Sequence, residues 1–491
     1  MIQFTRQFNR PPALTPLTFS ALLFTTLLPL YLFSSHYLTH HPYGDAIVPT
    51  PSMSTANNTV SPSSSFIQRW LSTHLLHPFD PALLASYCNH SYSTTTPAPT
   101  TNLVLTLYDA NGGIGNIRGN FLDFILLAID LGAKGIFLPA MAARDEENLS
   151  NVWGDGGKKK GFGEMFDEEW FVGVVGRVCP GLSVYRSAEE GEGMEVVRAV
   201  EGVWRSGSRR VDLEGGLGGV GIVGRNRVGL RTWLEGSEDW KRRYGEMGTE
   251  GDGQPVVVNA ERTLWDVDTR SLPRGVRSNL GQLVKVAPVY RGMAAVVMWR
   301  LVEKFGLDID PEDVVPKGAF YGAHLRTADD AKNAGWLDAE GMNATAQVEE
   351  YIAHAKQYGL SVIYVASGNM EDVKRFQAKA AAQSPPVVVV NKFDLLPEHE
   401  AAIVKAMSWD QQALIDWEVL KRCSVFGGIV KSSFAFNIAI TRSQYLEDRN
   451  MVMDPWSVQH SETNLAFDDG ISRIFGRDGF HEQRIPRGMW P

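Results

Sequence analysis

Short β-branched runs alternating with helix-length segments constrain this chain more than any other feature of its sequence. NLVLTLYD (102–109) alternates in hydrophobicity and is rich in residues that suit a pleated surface, so it reads as a strand. ANGGIGNIRGN follows, then FLDFILLAIDLGA, then KGIFLPA. Phe121, Phe124, Ile125, Ala128 and Ile129 share one face at helical spacing, and Gly132 stops the helix. Strand, glycine loop, helix and strand form the opening unit of a Rossmann-like sheet.

The same alternation returns from about residue 285. Helices are expected over 288–307, 345–359 (capped by Thr345), 370–382, 398–407, 410–423 and from 432 to 446. Strands are expected over 318–326, 360–367, 385–392 and 424–430. Strands separated by helices of this length form parallel sheets with helices on both faces. Residues 150–260 carry Gly-rich and charged pieces and read as loops and insertions of the first domain. A break near 310–317 (DPEDVVPK) divides the α/β chain into two Rossmann-like lobes, 102–312 and 313–491, with a cleft between them.

The N-terminus sets the compartment. No charged residue occurs between Arg10 and Asp45, and Leu14–Leu38 is long enough to cross a hydrocarbon core. Arg6 and Arg10 precede the run, and the next basic residue is Arg69. That asymmetry predicts a cytosolic tail (1–13), an uncleaved transmembrane signal anchor (14–38) and a lumenal remainder, that is, a single-pass type II protein of the Golgi or endoplasmic reticulum membrane. A cleaved signal peptide is the rival reading. Residues 39–101 hold Ser-, Thr- and Pro-rich tracts and read as a stem, with a short helix that packs on the main body. Sequons at Asn57, Asn89, Asn148 and Asn343 all fall on the lumenal side. Cys88, Cys179 and Cys423 permit one disulfide, and the sequence leaves its pairing open. With 47 Lys and Arg against 56 Asp and Glu, the charge of −9 opposes a nucleic-acid partner.

Several short motifs carry chemistry. Gly216–Gly221 matches GxGxxG but lacks the following helix that would hold a pyrophosphate. Asn391-Lys-Phe-Asp394 matches the guanine-reading NKxD, yet no GxxxxGK[ST] loop accompanies it, which excludes a GTPase. Asp266–Asp268 and Asp308–Asp310 match DxD, but neither sits in a convincing metal-binding loop, so no metal is expected. The loop Asn111–Arg118 is a better anion site. It joins strand to helix, Gly113 and Gly115 let a ligand approach the backbone, and Asn116 and Arg118 add donors. In the second lobe His324 and Arg326 lie two residues apart at a strand end and point to one side, a pairing suited to a diphosphate. Asp329 and Asp330 are near enough to pair with that Arg instead. Ser432, Ser433 and Phe434 open a helix, where hydroxyls and free N–H groups converge.

YDANGGIGNIRGNFLDFILLAIDLGA resembles the first-lobe loop of the protein O-fucosyltransferases, most closely their thrombospondin-repeat branch. AHLRTAD and CSVFGGIVKSSFAFNIA resemble two further motifs of that family, in family order. The resemblance implies a two-lobed, GT-B-like enzyme that transfers fucose from GDP-fucose to a hydroxyl of a protein or glycan, inverting the anomeric centre without a metal or other cofactor. It implies Asn116 and Arg326 on the β-phosphate, His324 in support, and Ser432, Ser433 and Phe434 closing over the GDP. Two departures stand out. The branch's loop glutamate, its general base, is replaced near Ile114 with one residue deleted, leaving Asp109 as a guess. The family's strand-end Asp near guanine is replaced by Val365-Ala-Ser367-Gly. The alternatives are a transferase using another nucleotide sugar and a catalytically inactive lumenal binding protein of the same fold.

Overall fold

The computed structural model describes residues 61–73, 79–93, 103–108, 110–130, 132–152, 158–186, 210–212, 256–260, 265, 267, 269–339, 341–447 and 464–491. The apolar run 14–38, Asn57, Asp109, the GxGxxG segment, Asp266 and Asp268 lie outside them. No helix among the described residues is long and apolar enough to cross a membrane.

Two parallel sheets organise the chain. The first has strand order β5-β2-β1-β7-β6, with β1 Leu103–Thr106, β2 Gly135–Phe137, β5 Ser183–Tyr185, β6 Arg210–Asp212 and β7 Val256–Asn259. Every pairing in it is parallel. A short antiparallel pair, β3 Met141–Ala142 and β4 Lys159–Lys160, stands beside it. The second sheet runs β10-β9-β8-β11-β13-β12, with β8 Tyr321–His324, β9 Val362–Ala366, β10 Val388–Val390, β11 Val425–Ile429, β12 Leu465–Asp468 and β13 Ser472–Phe475. Only β12 runs antiparallel to its neighbour.

The helices that cover the first sheet and its flank are α1 Pro62–Ser72, α2 Pro81–Ser93, α3 Ile114–Asp130, α4 Glu168–Val178, α5 Arg274–Gly281 and α6 Pro288–Phe305. Those of the second half are α7 Asp329–Asn333, α8 Ala344–Gln357, α9 Met370–Ala381, α10 Glu398–Ala406, α11 Trp409–Lys421, α12 Ser433–Glu447 and α13 His481–Gly488. The second core is built as its sequence dictates. All five residues of β9 are buried, as a strand covered on both faces must be, and Tyr351, Ile352 and Ala355 of α8 and Val373 and Phe376 of α9 pack on it.

Four expectations are corrected. Residues 150–260 are more than loops, because β5, β6 and β7 complete the first sheet; they are too short to show a period. The helix after the glycine loop begins at Ile114, not Phe121, so the loop is only Asn111–Gly113. Gly112 supplies the turn at φ 94°, and Gly113 O accepts from the N–H groups of Asn116 and Ile117. The α8 cap is Asn343, whose side chain accepts from Ala346 N–H, not Thr345. Finally, α3 has no solvent-exposed face along its second half: every residue from Phe121 to Asp130, Asp123 and Asp130 included, is buried, because it lies between the first sheet and α12.

Two further contacts fix the architecture. Cys88 of α2 is bonded to Cys179 at the end of α4, and Cys423 is free and buried. Residues 489–491 return from the second half to α3, where Trp490 donates its indole N–H to Asp123 at 2.8 Å and Asn437 of α12 donates to the Trp490 carbonyl at 2.8 Å.

Helix α3 meets the start of α12 at Gly115. A Cβ there would stand 2.6 Å from the Ser433 carbonyl oxygen and 3.1 Å from the Phe434 nitrogen, both backbone atoms with little room to retreat. Alanine is the better helix former by about 1 kcal/mol, but overpacking at such a contact typically costs about 1–3 kcal/mol. Gly115→Ala should therefore lower the thermal midpoint, and an unchanged or raised midpoint would show that the two helices separate freely.

Candidate functional site

The carboxyl ends of the two sheets open onto a shared cavity of about 470 Å³. Gly112, Gly113, Ile114 and Asn116 line it from the first lobe. His324 ends β8 and Arg326 lies two residues beyond it, Ala366 ends β9 with Ser367 and Gly368 after it, Lys392 follows β10, and Lys431–Phe434 follow β11. Parallel strands deliver these loops to one edge, which is where open α/β sheets bind ligands.

Of the residues singled out from the sequence, Gly113, Asn116, His324, Arg326, Ser432, Ser433 and Phe434 all line the cavity. Asn116 Oδ1 is buried without a hydrogen-bond partner, an unmet acceptor at the cavity wall. Gly115 is not a lining residue, since its bare backbone is spent on the contact with Ser433. Arg118 is corrected outright. It is buried and donates to the carbonyls of Val284 (3.1 Å), Gly281 and Pro491 (2.7 Å), so it ties main chain together and faces no ligand.

The loop–helix junctions place the two anion-binding ends. Helix α3 begins at Ile114 and α12 at Ser433, and Gly115 abuts Ser433, so two helix N-termini with their unbonded N–H groups meet at one wall. Ser432 caps α12, its Oγ accepting from Ala435 N–H at 3.1 Å, and the same oxygen lies 3.2 Å from His324 Nδ1. The Phe434 ring covers the imidazole with centroids 4.5 Å apart. Burial, with the neighbouring Arg326 charge, pushes His324 down to about 3, so the imidazole is neutral.

Arg326 is already engaged by a carboxylate. Its two terminal nitrogens donate to the two oxygens of Asp330 at 2.6 and 2.7 Å, and its guanidinium lies over the Trp336 ring at 5.4 Å. Asp330 is shared with Arg144 of the first lobe, at 3.3 Å. Burial raises the Asp330 carboxyl, but the Arg326 bonds and the two guanidinium charges outweigh it and hold the group below the usual carboxylate range. Arg144 also lies 3.4 Å from Asp410 and sits over the Trp409 ring at 4.9 Å. The two guanidiniums are thus held by two carboxylates, Asp330 and Asp410, beside the helix ends.

Arg144, Asp330, Trp336, Lys392, Trp409 and Asp416 are lining residues that sequence reasoning passed over, apart from naming Asp330 as a neighbour of Arg326 and Lys392 as part of NKxD. Arg144 lies in a run, AARDEE, that carries no local signal. Asp310 pairs with the exposed Arg69 at 2.8 Å, and no three His, Cys, Asp or Glu side chains gather as a metal site among the described residues.

No family model matches the chain, and no curated protein does. Among solved structures it is similar to POFUT1 in complex with GDP, at 12% identity and TM-score 0.40 over 71% of this chain and 95% of that one. POFUT1 in complex with GDP-fucose gives 11% and 0.42 over 78% and 99%. A variant of Arabidopsis thaliana FUT1 in complex with GDP gives 12% and 0.32 over 79% of each chain.

The neutral His324 sets a pH dependence. Burial, with Arg473 nearby, likewise brings His354 to about 3. An unfolded chain binds protons at both sites below the ordinary histidine value of about 6.5, while the folded chain does not until about 3. Stability contributed by these two sites is therefore full above pH ~6.5 and lost as pH falls towards 3. The thermal midpoint should drop between pH 7 and 4.5, and His324→Asn or His354→Asn should flatten that slope; an unaltered slope in both would place the acid sensitivity elsewhere.

Proposed function

We propose that the protein is a glycosyltransferase that moves fucose from GDP-fucose to a hydroxyl of a protein or glycan acceptor, inverting the anomeric centre without a metal. The observation that carries this reading is the meeting of the α3 and α12 N-termini with Arg326 around one interlobe cavity. Such a site suits an anion that gains charge. When the C1–O bond of a nucleotide sugar breaks, negative charge builds on the β-phosphate, and fixed N–H groups and a guanidinium oppose it without reorganising. The family resemblance of the Asn111–Arg118, His324–Arg326 and Ser432–Phe434 segments supplies the donor. Attack by the acceptor from the far side of C1 inverts the centre.

Proton removal is assigned to the departing phosphate. The two carboxylates that line the cavity, Asp330 and Asp416, are both committed to cations and other donors. A dissociative displacement, in which the phosphate takes the acceptor proton, needs no free enzymic base. One feature favours the second reading, another nucleotide sugar: β9 ends in Ala366-Ser367-Gly368 at the cavity, with no acid at that strand end.

Arg326 is the test. Removing a donor aimed at developing charge typically costs ~2.7–4 kcal/mol, about 10²–10³ in turnover. Arg326→Ala should lose at least that much, with Asp330 still paired to Arg144 so that no buried carboxylate is stranded. Arg326→Lys should recover only part, because an ammonium cannot make the planar two-pronged contact. If Arg326→Ala melts the fold while the folded fraction still binds GDP-fucose, Arg326 is a structural partner of Asp330 and the site assignment fails.

For the compartment, we infer a single-pass type II protein of the Golgi or endoplasmic reticulum membrane. Arg6 and Arg10 before the apolar run support it. So do the Cys88–Cys179 bond, of a kind that oxidising compartments maintain, and the exposure of Asn89, Asn148 and Asn343. Endoglycosidase should raise the gel mobility of the protein expressed in a eukaryotic cell. An unglycosylated chain, cleaved by protease added to intact microsomes, would overturn the topology.

A further inference from the structure

The NKFD run did not find its place in the motif reading, and its geometry explains why. Asn391 and Asp394 are spent on a turn. Asn391 Oδ1 accepts from Phe393 N–H at 2.7 Å, and Asp394 Oδ2 accepts from the backbone and side-chain N–H groups of Asn391 at 3.0 and 2.8 Å. Lys392 is different. Its side chain is 7% exposed, lines the cavity, and donates to Asp416 Oδ2 at 2.6 Å. Asp416, on α11 and 6% exposed, also accepts from the Tyr364 hydroxyl at 2.6 Å.

We propose that Lys392 and Asp416 form the base-reading pair of the nucleotide site, and that the base they select is guanine. The inference rests on the nucleotide-sugar reading above and adds the residues that choose the nucleotide. Distance supports it first. Strands lie about 4.8 Å apart, so the end of β10 is roughly 10 Å along the sheet edge from Arg326 after β8. That is the direction and reach of a ribose and base from a phosphate held at Arg326. Ser367 and Gly368 border the path between, and the partly exposed Phe393 and Trp409 also line the cavity.

Hydrogen-bond bookkeeping supports it next. An ammonium has three donors and a carboxylate about four lone-pair sites. Lys392 has spent one donor on Asp416, and Asp416 has filled two of its sites. What remains is two donors beside two acceptors. Guanine presents the complement on one edge: the O6 acceptor, the N1–H donor and the 2-amino donor. Uracil offers acceptor, donor, acceptor, while adenine and cytosine offer an amino donor beside a ring acceptor. Only guanine sets two adjacent donors against the two free carboxylate sites while its O6 accepts from the ammonium. The pair thus occupies the role that an acid at the end of β9 would otherwise play.

Titration calorimetry of the full chain with GDP, IDP, UDP and ADP tests this. IDP is GDP without the 2-amino group. The unmodified protein should bind GDP about tenfold or more tightly than IDP, the cost of an unmade hydrogen bond to a charged group, and more tightly still than UDP or ADP. Asp416→Asn, nearly isosteric, should bring the GDP-to-IDP ratio close to one. Lys392→Gln should weaken GDP and IDP together, because both carry O6, and it serves if the first variant does not fold. If GDP binds but the ratio in the unmodified protein is near one, or survives both substitutions, the base is read elsewhere and the pair is structural. If no nucleoside diphosphate binds, the nucleotide-sugar reading falls and takes this inference with it.

Discussion

The close approach of Gly115 to Ser433 is the contact on which the site depends. Each sheet alone would present one helix N-terminus at its carboxyl edge, an anion site of ordinary strength. Because α3 begins at Ile114 and α12 at Ser433, and because a glycine lets the two backbones touch, the two ends act on the same volume. The Trp490–Asp123 and Asn437–Trp490 bonds hold the same two helices further along, so the junction is braced at both its mouth and its interior. Buried polar groups that are fully bonded in this way rigidify their surroundings.

Charge at the cavity follows a consistent logic. Arg326 is not waiting free in solvent; it holds Asp330, and Asp330 is shared with Arg144 across the lobes. A carboxylate with two oxygens on the guanidinium fork has the geometry of a bound phosphate edge. The arrangement keeps both guanidiniums oriented at the wall. His324 adds no charge. Packed at a tilt against Phe434, beside Ser432, it stays neutral and shapes the wall between the two helix ends.

Much of this was legible in the sequence. The alternation of strands and helices announced two parallel sheets, and strand-end positions in one parallel sheet must share an edge, so His324, Arg326, Ser432, Ser433 and Phe434 could be grouped from their places in that pattern, while Asn116 of the other sheet joined them through the expected cleft and the family resemblance. The helix over 288–307 and the strands over 318–326 and 360–367 were set by strong local periodicity. The errors were also local in origin. Glycines at 115 and 119 suggested that the loop ran on past Arg118, yet the chain there is already helical, because packing rewards a bare backbone that propensity penalises.

Tertiary structure decided what no local pattern encodes. Strands as short as Ser183–Tyr185 and Val256–Asn259 carry too few residues to show a period, and they join the sheet only because neighbours bond them, β2 alone at the edge strand and β1 and β6 on either side of the other. Arg118 and Arg326 are alike as sequence, each beside a candidate ligand loop. One is enclosed by carbonyls from residues more than 160 positions away, and the other opens on the cavity. The pairings Arg144 with Asp330 and Lys392 with Asp416 likewise join distant positions. Sequence fixes periodicity and therefore elements and their edges; side-chain partners across elements depend on how those elements pack, which only the folded chain specifies.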